Sequence, residues 1–224
     1  MISPSNLQKN KVKVCTIVQE PGDLVVTFPR AYHGGFSEGF NCAEAVNFAL
    51  PSWIKYSTLC NDRYRTSARL SIFSHDRLLW KLSYHLDELD KESAAMLLAE
   101  LVEMYDEEVD MRKRIVSSGI HRIKEMEASV NTPFFDENIM KTDDLRQCLA
   151  CKHSCFLSGV VCACSPKEVS CLRDVKELCD CAPDKQVLVV WVQLSLLLDR
   201  INVVKKYQED LSAGKRRSKR IARK

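Results

Sequence analysis

Eight of the chain's eleven cysteines fall between Cys148 and Cys181, and a stretch so dense in thiols constrains the fold more than any hydrophobic pattern does. The order is Cys148-x2-Cys151-x3-Cys155-x6-Cys162-x1-Cys164-x6-Cys171-x7-Cys179-x1-Cys181. Tetrahedral zinc takes four thiolate or imidazole ligands, and a C-x-C or C-x2-C pair supplies two of them without strain. In an interleaved arrangement Cys162, Cys164, Cys179 and Cys181 make one full site, and Cys148, Cys151 and Cys171 make three quarters of another. Disulfides are the competing use of so many thiols, but the opening, MISPSNLQKNKVK, is polar and has no charged segment leading into an apolar one. The expectation is therefore an intracellular protein whose thiols stay reduced and hold metal. Cys155 has the plainer reading of a buried thiol packing beside Phe156.

At 224 residues with 46% hydrophobic side chains, the chain has material for one or two globular domains. The formal net charge of +3 is too small for a protein that coats nucleic acid along its length, so any basic function must be local. Lysine and arginine fill seven of the last ten positions, and the stretch 212–224 reads as a disordered basic tail. Such a run suits nuclear import or contact with DNA or nucleosome phosphates, an attraction that falls steeply with salt. The longest apolar run, 187–198, is interrupted by Gln193 and Ser195 and falls well short of the roughly 20 residues of a bilayer span.

Along the chain, residues 11–19 and 24–28 alternate as strands around a Pro21-Gly22-Asp23 turn and predict a β-hairpin, with a third strand at 43–48. Three strands cannot close a barrel, and alone they leave an uncovered apolar face and unpaired edges. From Trp53 to Tyr64 the pattern is helical. Ser74 can cap a helix carrying Leu78, Leu79, Leu82 and Leu86. A longer helix is predicted from Asp90 or Ser93 to Gly119, with Leu97, Leu101, Met104, Met111 and Ile115 on one stripe, which we read as core. Residues 131–145 read as a linker, and 186–211 as a strand passing into a helix along Leu194, Leu197, Ile201 and Val204. His75 and His121 read as surface or capping residues. His85 and Asp87 form an H-x-D pair, but two residues apart on a helix they point about 200° apart and could not chelate one ion.

One histidine stands apart. His33 sits among glycines and aromatics, directly before Gly34 and Gly35, where small neighbours leave an imidazole room to face a cavity; a histidine satisfied in a turn is the simpler alternative. The stretch PGDLVVTFPRAYHGGFSEGFNCAEAVNFA, residues 21–49, strongly resembles the C-terminal half of the catalytic domain of JmjC histone lysine demethylases. The resemblance implies that His33 is the last of three iron ligands and that Asn47 lines the 2-oxoglutarate pocket. In that family the other two ligands come from an earlier H-x-D or H-x-E motif, which this chain starts too late to contain. Non-haem iron of this type needs two histidines and a carboxylate on one face.

The cysteine cluster resembles the C5HC2 zinc finger that follows the catalytic domain in the JARID group, which acts on methylated lysine 4 of histone H3. There a histidine three residues after the cysteine corresponding to Cys171 completes the first site; this sequence has Asp174. A carboxylate is an accepted zinc ligand, so Asp174 could serve, and His153 or Cys155 could substitute at awkward spacing. The resemblance runs from about Ile2 to about Lys185.

The expectation is an α+β chain: residues 1–50 as part of a JmjC jelly-roll with about three strands, a helical region over 51–130, a linker, a two-zinc C5HC2-type finger over 146–185, an extension and a tail. What the resemblance implies is a truncated Fe(II)/2-oxoglutarate-dependent demethylase of the nucleus, inactive as this chain alone, with the histone H3 tail or nucleosome, DNA and chromatin complexes as partners and no membrane. The alternative is a non-catalytic zinc-binding chromatin scaffold.

Overall fold

A computed structural model describes residues 2–126 and 146–214, which fall into two compact units divided between Val46 and Asn47. The predicted linker and basic tail lie almost wholly outside the described residues.

The first unit contains one short helix, α1 (Pro4–Lys9), started by Ser3, whose hydroxyl accepts from the Asn6 amide at 3.3 Å. The expected turn forms: the Asp23 amide donates to the Glu20 carbonyl, and the Glu20 amide donates to the Asp23 carboxylate, both at 3.0 Å. The flanking stretches form no strand pairing, so the hairpin and the third strand predicted within 1–50 are not formed. The physical reason is burial. Leu24, Phe28, Phe36 and Phe40 are all at least three-quarters exposed, and a two-stranded ribbon with no layer against its apolar face is marginal in water.

The strands that make the fold α+β lie in the second unit. Its sheet has the order β1 (Ile123–Glu125), β3 (Gln186–Val190), β2 (Ser158–Cys162). Here β1 runs parallel to β3 with Ile123 opposite Leu188, while β2 runs antiparallel with Val160 opposite Leu188. Val187, Val189 and Val190 suit a pleated, buried surface, and Gln186, Leu188, Val189 and Val190 bury fully or nearly so.

The helices precede and follow this sheet. A 3-10 turn (Pro51–Trp53) leads into α2 (Ile54–Thr66), and α3 (His75–Leu82) is capped by Ser74, which accepts from the Arg77 amide at 3.3 Å. The long α4 (Lys91–Ser117) begins at Asp90, whose carboxylate accepts from the Ser93 amide at 2.8 Å. It ends where Gly119 takes φ +101°, a conformation that costs glycine least. After the sheet, α5 (Leu194–Ser212) packs along α4, and Leu97 and Leu101 meet Leu197, Ile201 and Val204 in one core with Ile54, Leu79 and Trp80. Among the described residues, no helix is long and apolar enough to cross a membrane.

Phe156 and Leu157, from the cysteine-rich segment, belong to this same core. The finger is therefore built onto the helices rather than tethered to them. His75 corrects the surface reading: it is buried, its Nδ1 lying 3.0 Å from Ser57 Oγ and its Nε2 3.2 Å from Thr58 Oγ1.

Candidate metal centres

The chain from Cys148 to Cys151 makes a tight knuckle. The Lys152 amide donates to the Cys148 carbonyl at 3.0 Å, Lys152 takes φ +61°, and the Cys148 amide donates to the His153 carbonyl at 2.7 Å. A bridge between Cys148 and Val169 brings the second half of the site alongside, because the strand-like run through Val169 and Ser170 leads directly to Cys171. The Asp174 amide then donates to the Cys171 carbonyl at 3.2 Å, which folds the C-x2-D segment into a turn. As a result Cys148, Cys151, Cys171 and Asp174 place one donor atom each within 4.8 Å of all the others.

The second cluster forms at the far end of the β2/β3 ladder. Cys162 closes β2 opposite Gln186, Cys164 follows in an exposed turn, and Cys179 and Cys181 come from the loop before the 3-10 turn Pro183–Lys185. Their four sulfurs also lie within 4.8 Å of one another. The pairing is interleaved, with Cys148, Cys151, Cys171 and Asp174 alternating along the chain with Cys162, Cys164, Cys179 and Cys181. The first cluster thus joins two ligands from before β2 to two from after it, while the second joins the end of β2 to three ligands that follow it.

The electrostatics of both clusters favour a cation. In the first, a hydrogen bond from the Cys171 thiol brings Cys148 down to about 5, while burial, aided by Asp174, pushes Cys151 up to about 11. Cys171 is pushed up by its thiol bond to Cys148 and by burial. Burial pushes Asp174 upward, but hydrogen bonds from the thiols of Cys151, Cys171 and Cys148 hold it below the usual carboxylate range. In the second, the backbone amide of Cys181 helps bring Cys179 down to about 7, and hydrogen bonding with Cys164 pushes Cys181 up to about 12. One thiolate forms readily in each cluster and opposes the ionisation of the next. A divalent cation among the donors reverses that opposition, which is the chemistry of a structural zinc site.

The remaining predicted residues fall elsewhere. Cys155 is buried and stands outside both clusters; burial pushes its thiol far up, as suits an inert core cysteine. His153 does not join the first cluster. Its Nε2 accepts from Arg65 Nη2 at 2.7 Å and lies 3.7 Å from the Asp76 carboxylate. His33 is exposed, with Nδ1 3.0 Å from the Ala31 carbonyl, and Asn47 is exposed as well. Among the described residues no second imidazole or carboxylate joins His33 in a metal-binding group, so the described residues do not by themselves make up an iron site. Gln186 is a contact that sequence reasoning missed: buried at the start of β3, its amide donates to Cys179 Sγ at 3.5 Å and to the Cys181 carbonyl at 3.4 Å. A glutamine at a strand start carries no spacing signal that would have marked it.

Comparison with known proteins finds three matching segments along the chain. Residues 1–48 match the JmjC domain, hydroxylase; residues 52–106 match the lysine-specific demethylase 5 C-terminal helical domain; residues 148–199 match the C5HC2 zinc finger. The finger match continues through β3 into α5, which the sequence reading set apart as an extension. The three matched segments and the two clusters therefore mark a JmjC-type sequence followed by a C5HC2 finger. Its relatives include lysine-specific demethylase JMJ17 of Arabidopsis thaliana, 35% identical over 210 residues, covering 92% of this chain and 17% of that protein. Lysine-specific demethylase 5B of Gallus gallus is 34% identical over 205 residues, 92% of this chain and 13% of that protein. Lysine-specific demethylase 5D of Pan troglodytes is 36% identical over 188 residues, 84% of this chain and 12% of that protein. Over most of its length the chain is thus similar to lysine-specific demethylases, and it spans less than a fifth of the length of these relatives.

Proposed function

We propose that this chain is the zinc-bound finger and helical scaffold of a histone lysine demethylase, working on chromatin in the nucleus, and that these 224 residues do not demethylate alone. The observation that carries the reading is the pair of four-donor clusters: Cys148, Cys151, Cys171 and Asp174 hold one zinc ion, and Cys162, Cys164, Cys179 and Cys181 hold another. In the intact family the activity would be Fe(II)- and 2-oxoglutarate-dependent oxidation of methylated lysine 4 of histone H3. His33 would then contribute one iron ligand and Asn47 one contact to 2-oxoglutarate. Iron of this kind needs three facial ligands, and His33 is the one that the described residues would supply, so no chemical step follows from them alone. The histone H3 tail or the nucleosome is the corresponding partner, and the basic residues 215–224 suit DNA phosphates.

The alternative, a non-catalytic chromatin scaffold, is favoured by one specific feature. The finger shares a core with the helices through Phe156 and Leu157, so this part can be stable whatever becomes of the JmjC segment. Two measurements on the purified chain test the proposal. Metal analysis should find two zinc ions per chain and no bound iron. Incubation with a methylated H3 peptide, Fe(II) and 2-oxoglutarate should release no formaldehyde, and release that depends on both additions overturns the claim of inactivity.

A further inference from the structure

We propose that metal at the first cluster, and not at the second, latches the finger onto α2 and α3. The proposal rests on the zinc reading above. The loops that carry the first cluster's ligands are the ones that reach α2, α3 and the middle of α4. Arg173, between Cys171 and Asp174, forms an ion pair with Glu107 of α4. His153, two residues after Cys151, accepts from Arg65 of α2 at 2.7 Å and faces Asp76 of α3 at 3.7 Å, and Arg65 lies 3.8 Å from Glu107. All three members of the Arg65, His153 and Asp76 group are at least four-fifths buried, where such contacts are screened least. The same strand of chain then delivers Phe156 and Leu157 into the helical core and Ser158 to the Glu108 carboxylate. A metal ion that fixes Cys151 and Cys171 therefore fixes the start of this whole seam.

The second cluster faces a different place. Its polar contacts, from Cys162 to the Lys185 carbonyl and from Gln186 to Cys179 and Cys181, stay within the finger. Its apolar neighbours include Ile115 and Ile120, and Pro183 sits against Gly119, so it buttresses the C-terminal end of α4 and the turn after it. Four residue steps along β2, roughly 13 Å, separate Ser158 from Cys162. The donor sets differ too. Three thiolates and a carboxylate make a harder, weaker set for zinc than four thiolates, so the latch is the site that empties first.

Hydrogen exchange on the full 224-residue chain, read peptide by peptide with the zinc count taken by native mass spectrometry, tests this. In wild type with two ions bound, α2 and α3 should be protected. Asp174→Ala should carry one ion and exchange at least roughly tenfold faster over 54–66 and 75–82 while 115–120 changes little. Cys181→Ser should carry one ion and show the reverse pattern. Arg65→Met should keep both ions yet loosen α2, which separates the latch from the metal site itself. Equal loosening of α2 and α3 in Asp174→Ala and Cys181→Ser, or an unaltered α2 in Arg65→Met, overturns the latch. Fewer than two ions in wild type instead overturns the zinc assignment on which it stands.

Discussion

The carboxylate of Asp174 accepts a hydrogen bond from the Cys171 thiol at 3.2 Å, inside a cluster otherwise made of sulfur. A carboxylate fits there because the C-x2-D turn brings a short side chain back toward its own cysteine, and Cys148 Sγ lies 3.3 Å from the same oxygen. If Asp174 is a ligand, a softer donor on the same turn strengthens the site. Asp174→Cys should therefore hold its first-cluster zinc about tenfold or more tightly against a chromophoric chelator, with the stoichiometry unchanged at two. A chelator curve identical to wild type would show that residue 174 does not touch the metal.

The buried His75 gives the helical region its own acid sensitivity. Burial pushes the imidazole below its ordinary value, against upward pulls from Asp76 and Glu100. A histidine depressed in the folded state favours the neutral form. Its stabilisation is thus complete above the unfolded value of about 6.5 and is lost as pH falls through the folded value. Asp76 acts in the same direction at lower pH: burial pushes its carboxyl up, but its neighbours His153, His75 and Arg65 hold it below its ordinary value. Urea unfolding across pH 7 to 5 should show His75→Gln losing less stability on acidification than wild type. Because the zinc clusters are common to both proteins, their own acid dependence cancels in the difference, and parallel pH profiles would remove His75 from the account.

Core packing predicts a larger effect. Leu101 is fully buried on α4 among residues contributed by α5 and by the finger. Leu101→Ala removes apolar contact and leaves a cavity at the junction, at a cost of about 2–5 kcal/mol in the denaturant midpoint analysis. A similar truncation at Leu24, which is 93% exposed, should cost less than about 0.5 kcal/mol.

How far the sequence could be read depended on the range over which each signal acts. Short C-x-C and C-x2-C spacings are local chemistry, and the structure brings together the two groups that those spacings, with Asp174, imply. Caps are local as well: Ser74 and Asp90 start the helices they appear to invite by residue type, and Leu97, Leu101 and Ile115 bury as their stripe requires. Strands are a different matter, since a strand exists only when a partner satisfies its backbone. The alternation in 11–19 and 24–28 is genuine, yet no ladder forms there, whereas Ile123–Glu125 becomes a strand because Leu188 to Val190 lies beside it. The settings of His75 and His153 are hidden from sequence for the same reason. Their partners, Ser57 and Thr58 in one case and Arg65 and Asp76 in the other, come from different elements that spacing does not connect.

Gly159 offers a test of how tightly the sheet and the first cluster are joined. A Cβ at this position would lie 2.8 Å from Val169 Cγ2, 3.1 Å from the Ser170 carbonyl oxygen and 3.2 Å from Trp191 Cζ3. None of these can retreat easily: Val169 is β-branched and buried, the Ser170 backbone is bonded to Val160 in both directions, and Trp191 packs in the same core. Accommodating the methyl group means moving the 169–170 run away from β2. That run also holds the knuckle, since the Leu149 amide donates to the Val169 carbonyl at 2.9 Å, and it leads straight to Cys171. Gly159→Ala should therefore cost about 1–3 kcal/mol and release zinc faster from the first cluster than from the second. Gly34→Ala, where a Cβ meets nothing within 4 Å, serves as the control and should leave both stability and zinc release unchanged. Site-resolved zinc release in Gly159→Ala that matches wild type would mean that the 169–170 run does not transmit the clash to Cys171.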